Sequence, residues 1–188
     1  MNFFKLLFSS FLLLLALDVS ARIDISNLDE TENPAKDSIE APADAKSSLV
    51  QAFSYISSAK AATSKTAQDE LFANAEKELN RAIKLFPDYA EALMNRGVLF
   101  MTIQKLNKAE IDLNRARKLD PKNPNINYNL VCLYSITNRV DLAIDLLDKT
   151  LKLGFDDYDS LRSDPDLTEL RKSKEFQTVL EKNKVFLK

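Results

Sequence analysis

The sequence predicts an all-α protein, a short solenoid of antiparallel helix pairs that ends in capping helices. Three observations lead there. Only 2 Gly and 6 Pro occur in 188 residues, and β-branched residues do not dominate, so little in the chain interrupts helices. Apolar residues recur at helical spacing, as in Leu93, Gly97 and Phe100, and again in Leu106, Ala109, Ile111, Leu113 and Ala116. The chain also repeats itself at one fixed long interval, the sign of a repeat architecture. Ala75, Ala109 and Ala143 form one such evenly spaced row, and Leu79, Leu113 and Leu147 another. Arg81, Arg115 and Lys149, then Lys84, Lys118 and Lys152, then Leu85, Leu119 and Leu153 follow the same period. Pro87 pairs with Pro121, Asn95 with Asn129, and Phe100 with Tyr134.

Residues 1–21 carry Lys5, an apolar run from Leu6 to Leu17, and the small residues Val19 and Ala21. That pattern predicts a secretory signal peptide cleaved after Ala21, and hence a periplasmic or secreted product. An uncleaved anchor is the alternative, although a helix over the run reaches only about 18 Å against a hydrocarbon core of about 30 Å. Residues 22–46 hold seven acids and three bases, a net charge of −4, with two prolines and no aromatic residue. Such a segment has too little apolar surface to offset ordering entropy, so it reads as a disordered acidic linker. Ordering onto a partner is the other use of such a segment.

The repeats follow. The first, 47–89, is divergent: a helix is expected over 48–62, then a long polar turn at Thr63–Gln68, then a second helix marked by Ala75, Leu79 and Ala82. Thr63 and Thr66 break a strict register, which implies an insertion of a few residues. The second repeat is 90–123 and the third 124–155. Asn123 stands where it can cap a helix whose first residue is Pro124. Within each pair, small residues such as Gly97 and Ala109 permit close helix approach, and Ala116 does so between repeats. No single pair can bury its apolar face alone, so stacking is required.

These residues resemble the tetratricopeptide repeat family. Its pattern of apolar, small, aromatic, Ala, apolar, Ala and Pro positions is supplied over 90–123 by Leu93, Gly97, Phe100, Ala109, Leu113, Ala116 and Pro121. Over 124–157 the same places hold Asn127, Val131, Tyr134, Ala143, Leu147, Thr150 and Phe155. The resemblance implies a right-handed solenoid. The tail 156–188 is similar to the end of bacterial arrays of this family, through Gly154-Phe155, Asp164-Pro165-Asp166-Leu167, Leu170-Arg171 and Phe176. Gly154 is a left-handed helix stop, Asp164 a cap for a short helix starting at Pro165, and Phe176, Val179 and Leu180 the cover for the last repeat.

Composition excludes several chemistries. With no His and the single Cys132, neither His-based nucleophile systems nor a Cys/His zinc site is possible, and no intrachain disulfide can form. A formal charge of −2 argues against nucleic acid. The acids at Asp156, Asp157, Asp159, Asp164 and Asp166 miss the EF-hand pattern, since Leu161 and Arg162 fall where an acid and a Gly belong. They read as helix caps, and no pocket signal surrounds them to suggest acid–base catalysis. The expectation is therefore no catalytic residue, no metal and no cofactor. Cys132 reads as a small buried residue, and Arg96 as paired with a carboxylate between helices.

The resemblance also implies a concave groove lined by the first helix of each repeat, and a non-catalytic role in binding a protein or peptide. The groove positions are Glu91, Met94, Asn95, Val98, Met101 and Thr102, then Asn125, Tyr128, Asn129, Cys132, Ser135 and Ile136. The wall is mostly neutral. Asn95 and Asn129 are suited to a peptide backbone, Met94 and Met101 to apolar side chains. Members that grip a terminal carboxylate use lysines on this wall, and none stands there. The competing reading makes Met94 and Val98 partly core, with both asparagines serving only neighbouring helices. Oligomeric state and partner identity are left open. A membrane role depends on retention of residues 1–21.

Overall fold

The computed structural model describes residues 40–186; the expected signal peptide, 1–21, and most of the expected acidic linker, 22–46, lie outside them. The described residues form eight α-helices and no strand. They are α1 (Ala43–Ala61), α2 (Lys65–Leu85), α3 (Ala90–Thr102), α4 (Leu106–Leu119), α5 (Pro124–Ile136), α6 (Val140–Lys152), α7 (Tyr158–Ser163) and α8 (Lys174–Lys182). Two 3-10 turns, Pro165–Leu167 and Leu170–Lys172, connect α7 to α8. Helices α1 and α2, α3 and α4, and α5 and α6 pack as three antiparallel pairs, and each pair stacks on the next through α2–α3 and α4–α5.

The period seen in the sequence is the period of the core. Ala75, Ala109 and Ala143 are 0% exposed, as are Leu79, Leu113 and Leu147. The row Ala82, Ala116 and Thr150 is equally closed. Thr150 survives there because its hydroxyl donates to the Leu146 carbonyl at 2.7 Å, leaving the methyl to pack. Gly97 shows why the row needs small residues: a Cβ built on it would stand 2.7 Å from Cγ of Leu113.

The turns inside the second and third pairs repeat, and the end of α6 closes in the same way. Gln104 and Asn138 take left-handed backbone, φ 59° and 57°, as does Gly154 at φ 92°. In each case the next residue's N–H reaches back to the last helical turn: Lys105 to Phe100 at 2.8 Å, Arg139 to Tyr134 at 2.8 Å, and Phe155 to Thr150 at 3.3 Å. This is the Schellman closure, which satisfies carbonyls that the helix end orphans. Lys105 and Arg139 then make equivalent ion pairs to the preceding repeat. Lys105 meets Glu76 at 3.0 Å, and Arg139 meets Glu110 at 2.6 Å and 3.1 Å. Each cation also sits over the aromatic ring of its own repeat, Phe100 or Tyr134.

Arg96 pairs as expected. It forks onto the buried Asp112 at 2.7 Å and 2.8 Å and donates to Asn80 at 2.8 Å, joining α2, α3 and α4. Asn123 caps α5 through the N–H groups of Asn125 and Ile126, with Pro124 in the first turn.

The first repeat differs from its expected layout. Helix α1 begins at Ala43, so the acidic segment ends before the expected 46, and Ala45 is fully buried. The expected polar turn Thr63–Gln68 is mostly helical. Ser64 caps α2 by accepting the Ala67 N–H, and Gln68 is buried with its amide on the Ala59 carbonyl at 3.2 Å. The inserted residues are absorbed by longer helices, 19 and 21 residues against 13 and 14 in the second pair.

Candidate functional site

The first helix of each pair sets the candidate groove, and its residues divide into exposed, half-buried and buried. On α3, Glu91 is exposed and Met94 and Thr102 are half-buried, while Asn95, Val98 and Met101 are buried. Met94 packs against apolar residues of both halves of the core, so it is part wall and part core. The Asn95 amide is spent on its own helix, donating to the Glu91 carbonyl at 2.7 Å. Thr102 likewise donates to the Val98 carbonyl at 3.0 Å.

On α5 the outcome differs. Asn125 and Ile136 are exposed and Asn129 is half-buried, but Tyr128, Cys132 and Ser135 are buried. The cause is the tail. Helix α7 starts one full period after α5, where a further repeat would begin, but stops after 6 residues. The Pro165–Leu167 turn then lies against α5. Asp164, 3% exposed, caps this turn by accepting the Asp166 N–H at 2.9 Å. Its other oxygen accepts the Tyr128 hydroxyl at 3.0 Å and faces the Cys132 thiol at 3.8 Å. Tyr128 also stacks on Phe155, with ring centroids 4.4 Å apart. Arg171 donates to the Asp164 carbonyl at 2.7 Å and fixes the turn from the other side.

Burial governs the electrostatics of this cluster. Desolvation pushes the Asp164 carboxyl up from its ordinary value, and the Asp166 N–H, Tyr128 and Cys132 hydrogen bonds oppose that rise. The Cys132 thiol is pushed well up by burial and by the Asp164 charge. A buried thiol beside a carboxylate is a poor nucleophile, so Cys132 is structural here, as its sequence context suggests. The spacing alone puts Tyr128, Cys132 and Ser135 on an open wall. The tail instead seals Tyr128 and Cys132, and the Ser135 hydroxyl is buried without a hydrogen-bond partner among the described residues.

What remains open is a shorter surface: Glu91, Met94 and Thr102 on α3, with Asn125, Asn129 and Ile136 on α5. Asn129 makes no hydrogen bond within the described residues, in contrast to Asn95 one period earlier. Its amide offers a donor and an acceptor together, which is what an extended backbone requires. No group of three or more metal-ligating side chains occurs among the described residues.

The architecture defines a class, an α-solenoid built of regularly repeated helix pairs with a capped C-terminal end. Comparison with known proteins places it more closely. Residues 90–123 match the family model described as tetratricopeptide repeat. Residues 90–123 are thus a tetratricopeptide repeat, set in a chain whose fold is that of solved tetratricopeptide repeat structures. Over 53 residues the chain is 47% identical to a chloroplastic protein of Arabidopsis thaliana, a match spanning 28% of this chain and 16% of that protein. Among solved structures it is similar to TTC0263, a thermophilic tetratricopeptide repeat protein of Thermus thermophilus. That match has a TM-score of 0.58 and 23% identity, over 73% of this chain and 64% of that one. It is also similar to the TPR2B domain of yeast Sti1, solved as a pHsp70 complex, with a TM-score of 0.52 and 17% identity over 75% of this chain and 96% of that one. At these identities the structural matches speak for the fold.

Proposed function

We propose that the protein is a non-catalytic adaptor that binds an extended segment of a partner protein across α3 and the open part of α5. The observation that carries this reading is Asn129, a half-buried amide with no partner among the described residues, flanked on α3 by the adaptable Met94. The Asn129 amide is accessible and uncommitted, and a peptide backbone would supply partners for both its donor and its acceptor. The Sti1 domain with the same fold was solved with a bound partner, which supports the use of such a surface for peptides. The wall of α3 and α5 has no lysine, so recognition rests on backbone and apolar contacts rather than on a terminal carboxylate.

We further propose export to a bacterial cell envelope, with residues 1–21 removed as a signal peptide. An intact mass beginning at Arg22 supports this; a full-length mass recovered with membranes supports an anchored scaffold instead. The binding reading is tested by placing a photoreactive residue at Met94, Asn129 or, as a control, the exposed convex residue Ile111, and crosslinking in native extracts. Partner adducts at 94 and 129 but not at 111 are expected. Equal adducts at 111 would remove the groove from the account.

A further inference from the structure

The rows of cations that recur once per period have no role in the groove. Lys84 closes α2, Lys118 closes α4, and Lys149 and Lys152 close α6; Arg81 and Arg115 stand just before the last turns of α2 and α4, and all six are exposed. Because the pairs stack in register, the rows run along a single edge of the solenoid. One part of their role is to complement the negative ends of three helices. That accounts for a cation in each last turn, but not for a second row of them.

Half of these six cations have no ion-pair partner among the described residues. Lys84, Lys118 and Lys149 make no ion pair within the described residues, and Arg81 stands 3.9 Å from Glu78. Arg115 is held by the Pro87 carbonyl and Asp88, and Lys152 by Asp148. Directly beside the cations lies a second periodic row, Leu85, Leu119 and Leu153, still 42%, 38% and 37% exposed. The edge therefore presents positive charge and apolar surface in parallel.

The start of the described chain is on this edge. The short turn at 62–64 folds α2 back along α1, so the first turn of α1 lies beside the last turn of α2. The segment 22–39 lies directly before it in sequence. It carries five acids, Asp24, Asp29, Glu30, Glu32 and Asp37, against Arg22 and Lys36. Ile23 precedes the first acid, and Ile25 and Leu28 stand between Asp24 and Asp29. The segment thus carries both acids and apolar side chains, as the edge carries both cations and leucines. Its reach is ample: fully extended, the segment spans up to about 60 Å, and three stacked pairs about 30 Å.

We propose that residues 22–39 dock along the cationic edge formed by the last turns of α2, α4 and α6, pairing their acids with Lys84, Lys118 and Lys149. Docking there leaves the groove open, so the acidic segment shields the edge without competing with a peptide on α3. The edge would be covered in this way whatever the groove binds.

The test uses the full chain and a carbodiimide, which joins carboxylates to lysines already in contact. A mixture of isotopically light and heavy protein separates contacts within a chain from contacts between chains. Crosslinks from Asp29, Glu30 or Glu32 to Lys118 or Lys149 within one chain are expected at low salt. They should fall at least tenfold in high salt, where the Debye length shrinks to a few ångströms, or in the variant Arg81→Glu/Lys84→Glu, which reverses charge on the edge but keeps both target lysines. The Lys105–Glu76 crosslink is the internal control and should persist in that variant, which shows that it still folds. Absence of intrachain crosslinks to the edge while the control forms would overturn the proposal. So would crosslinks only between light and heavy chains, which assign the edge to a second copy. Vesicles containing phosphatidylglycerol provide the last arm. Edge-dependent binding to them, without intrachain crosslinks, would assign the edge to an anionic lipid surface and overturn the proposal equally.

Discussion

Gly97 offers a prediction whose sign depends on its neighbour. A Cβ at 97 would approach Cγ of Leu113 to 2.7 Å, Cδ2 to 3.0 Å and the Ala109 carbonyl oxygen to 3.4 Å. Leu113 is 0% exposed, and the nearest atom is its branch point rather than a flexible tip, so it cannot swing away. Gly97→Ala must therefore push α3 from α4, at the ~1–3 kcal/mol typical of overpacking. Against this stands a gain of about 1 kcal/mol from replacing a mid-helix glycine. The net expectation is a loss of ~0–2 kcal/mol, with a larger loss for Gly97→Leu. Leu113→Ala alone should cost ~2–5 kcal/mol by opening a cavity. In that background the obstruction is gone, and Gly97→Ala should stabilise by up to ~1 kcal/mol. Urea unfolding followed by far-ultraviolet circular dichroism measures all four proteins, and the double-mutant cycle should show a coupling of ~1–3 kcal/mol. If Gly97→Ala gains stability in the parent, or the two changes simply add, the close approach of α3 and α4 at this point is not real.

Other expectations follow from the same packing. Arg96→Met leaves the buried Asp112 carboxylate without its guanidinium and should cost about 3 kcal/mol in urea unfolding, while Arg96→Met/Asp112→Leu should recover much of it. Gln104→Gly should raise the melting temperature by the equivalent of ~0.5–1 kcal/mol, because glutamine carries φ 59° there; Asn138→Gly should gain less, since asparagine tolerates that backbone better. Asp148 accepts from Lys152, Lys182 and Asn183 and so ties α6 to the end of α8, and these partners hold its carboxyl well below the usual 3.8. A depressed carboxyl contributes stability above its unfolded value and loses it as pH falls through the folded one. Hydrogen-exchange protection in α8, taken relative to the intrinsic rate at each pH, should therefore fall below about pH 3.8 before that of α3 and α4, and Asp148→Asn should flatten that dependence.

Much of the fold is readable because the sequence repeats what the packing repeats. Rows at Ala75, Ala109 and Ala143 are visible in one dimension and become the closest contacts in three. Gly154 announces its left-handed turn, whereas Gln104 does not, because its Schellman closure overrides a poor local preference; Asn138 gives a weaker signal than glycine. The start of α2 is hidden for a related reason. Thr63–Gln68 is polar, but Gln68 buries its amide on a carbonyl of α1, and polarity alone does not mark a loop. Helix α1 reaches further back than expected because Ala43–Lys46 forms helix without needing large apolar residues. The candidate groove is legible as a set of positions, not as a surface. Nothing in the spacing of Tyr128 and Cys132 says that Asp164, more than thirty positions on, turns back to cover them. The hint lies in the tail itself, where the period restarts at Tyr158 and breaks off at Pro165.

That covering decides which part of the concave face a partner can reach. Cys132 reports on it directly, being the single thiol in the chain and 3% exposed beneath Asp164. Alkylation by iodoacetamide at neutral pH should be slow in the native protein, and should reach the rate of an exposed thiol only in denaturant. Modification of the native protein at the denatured rate would mean that the tail does not lie on α5, and that the wall is open along its whole length.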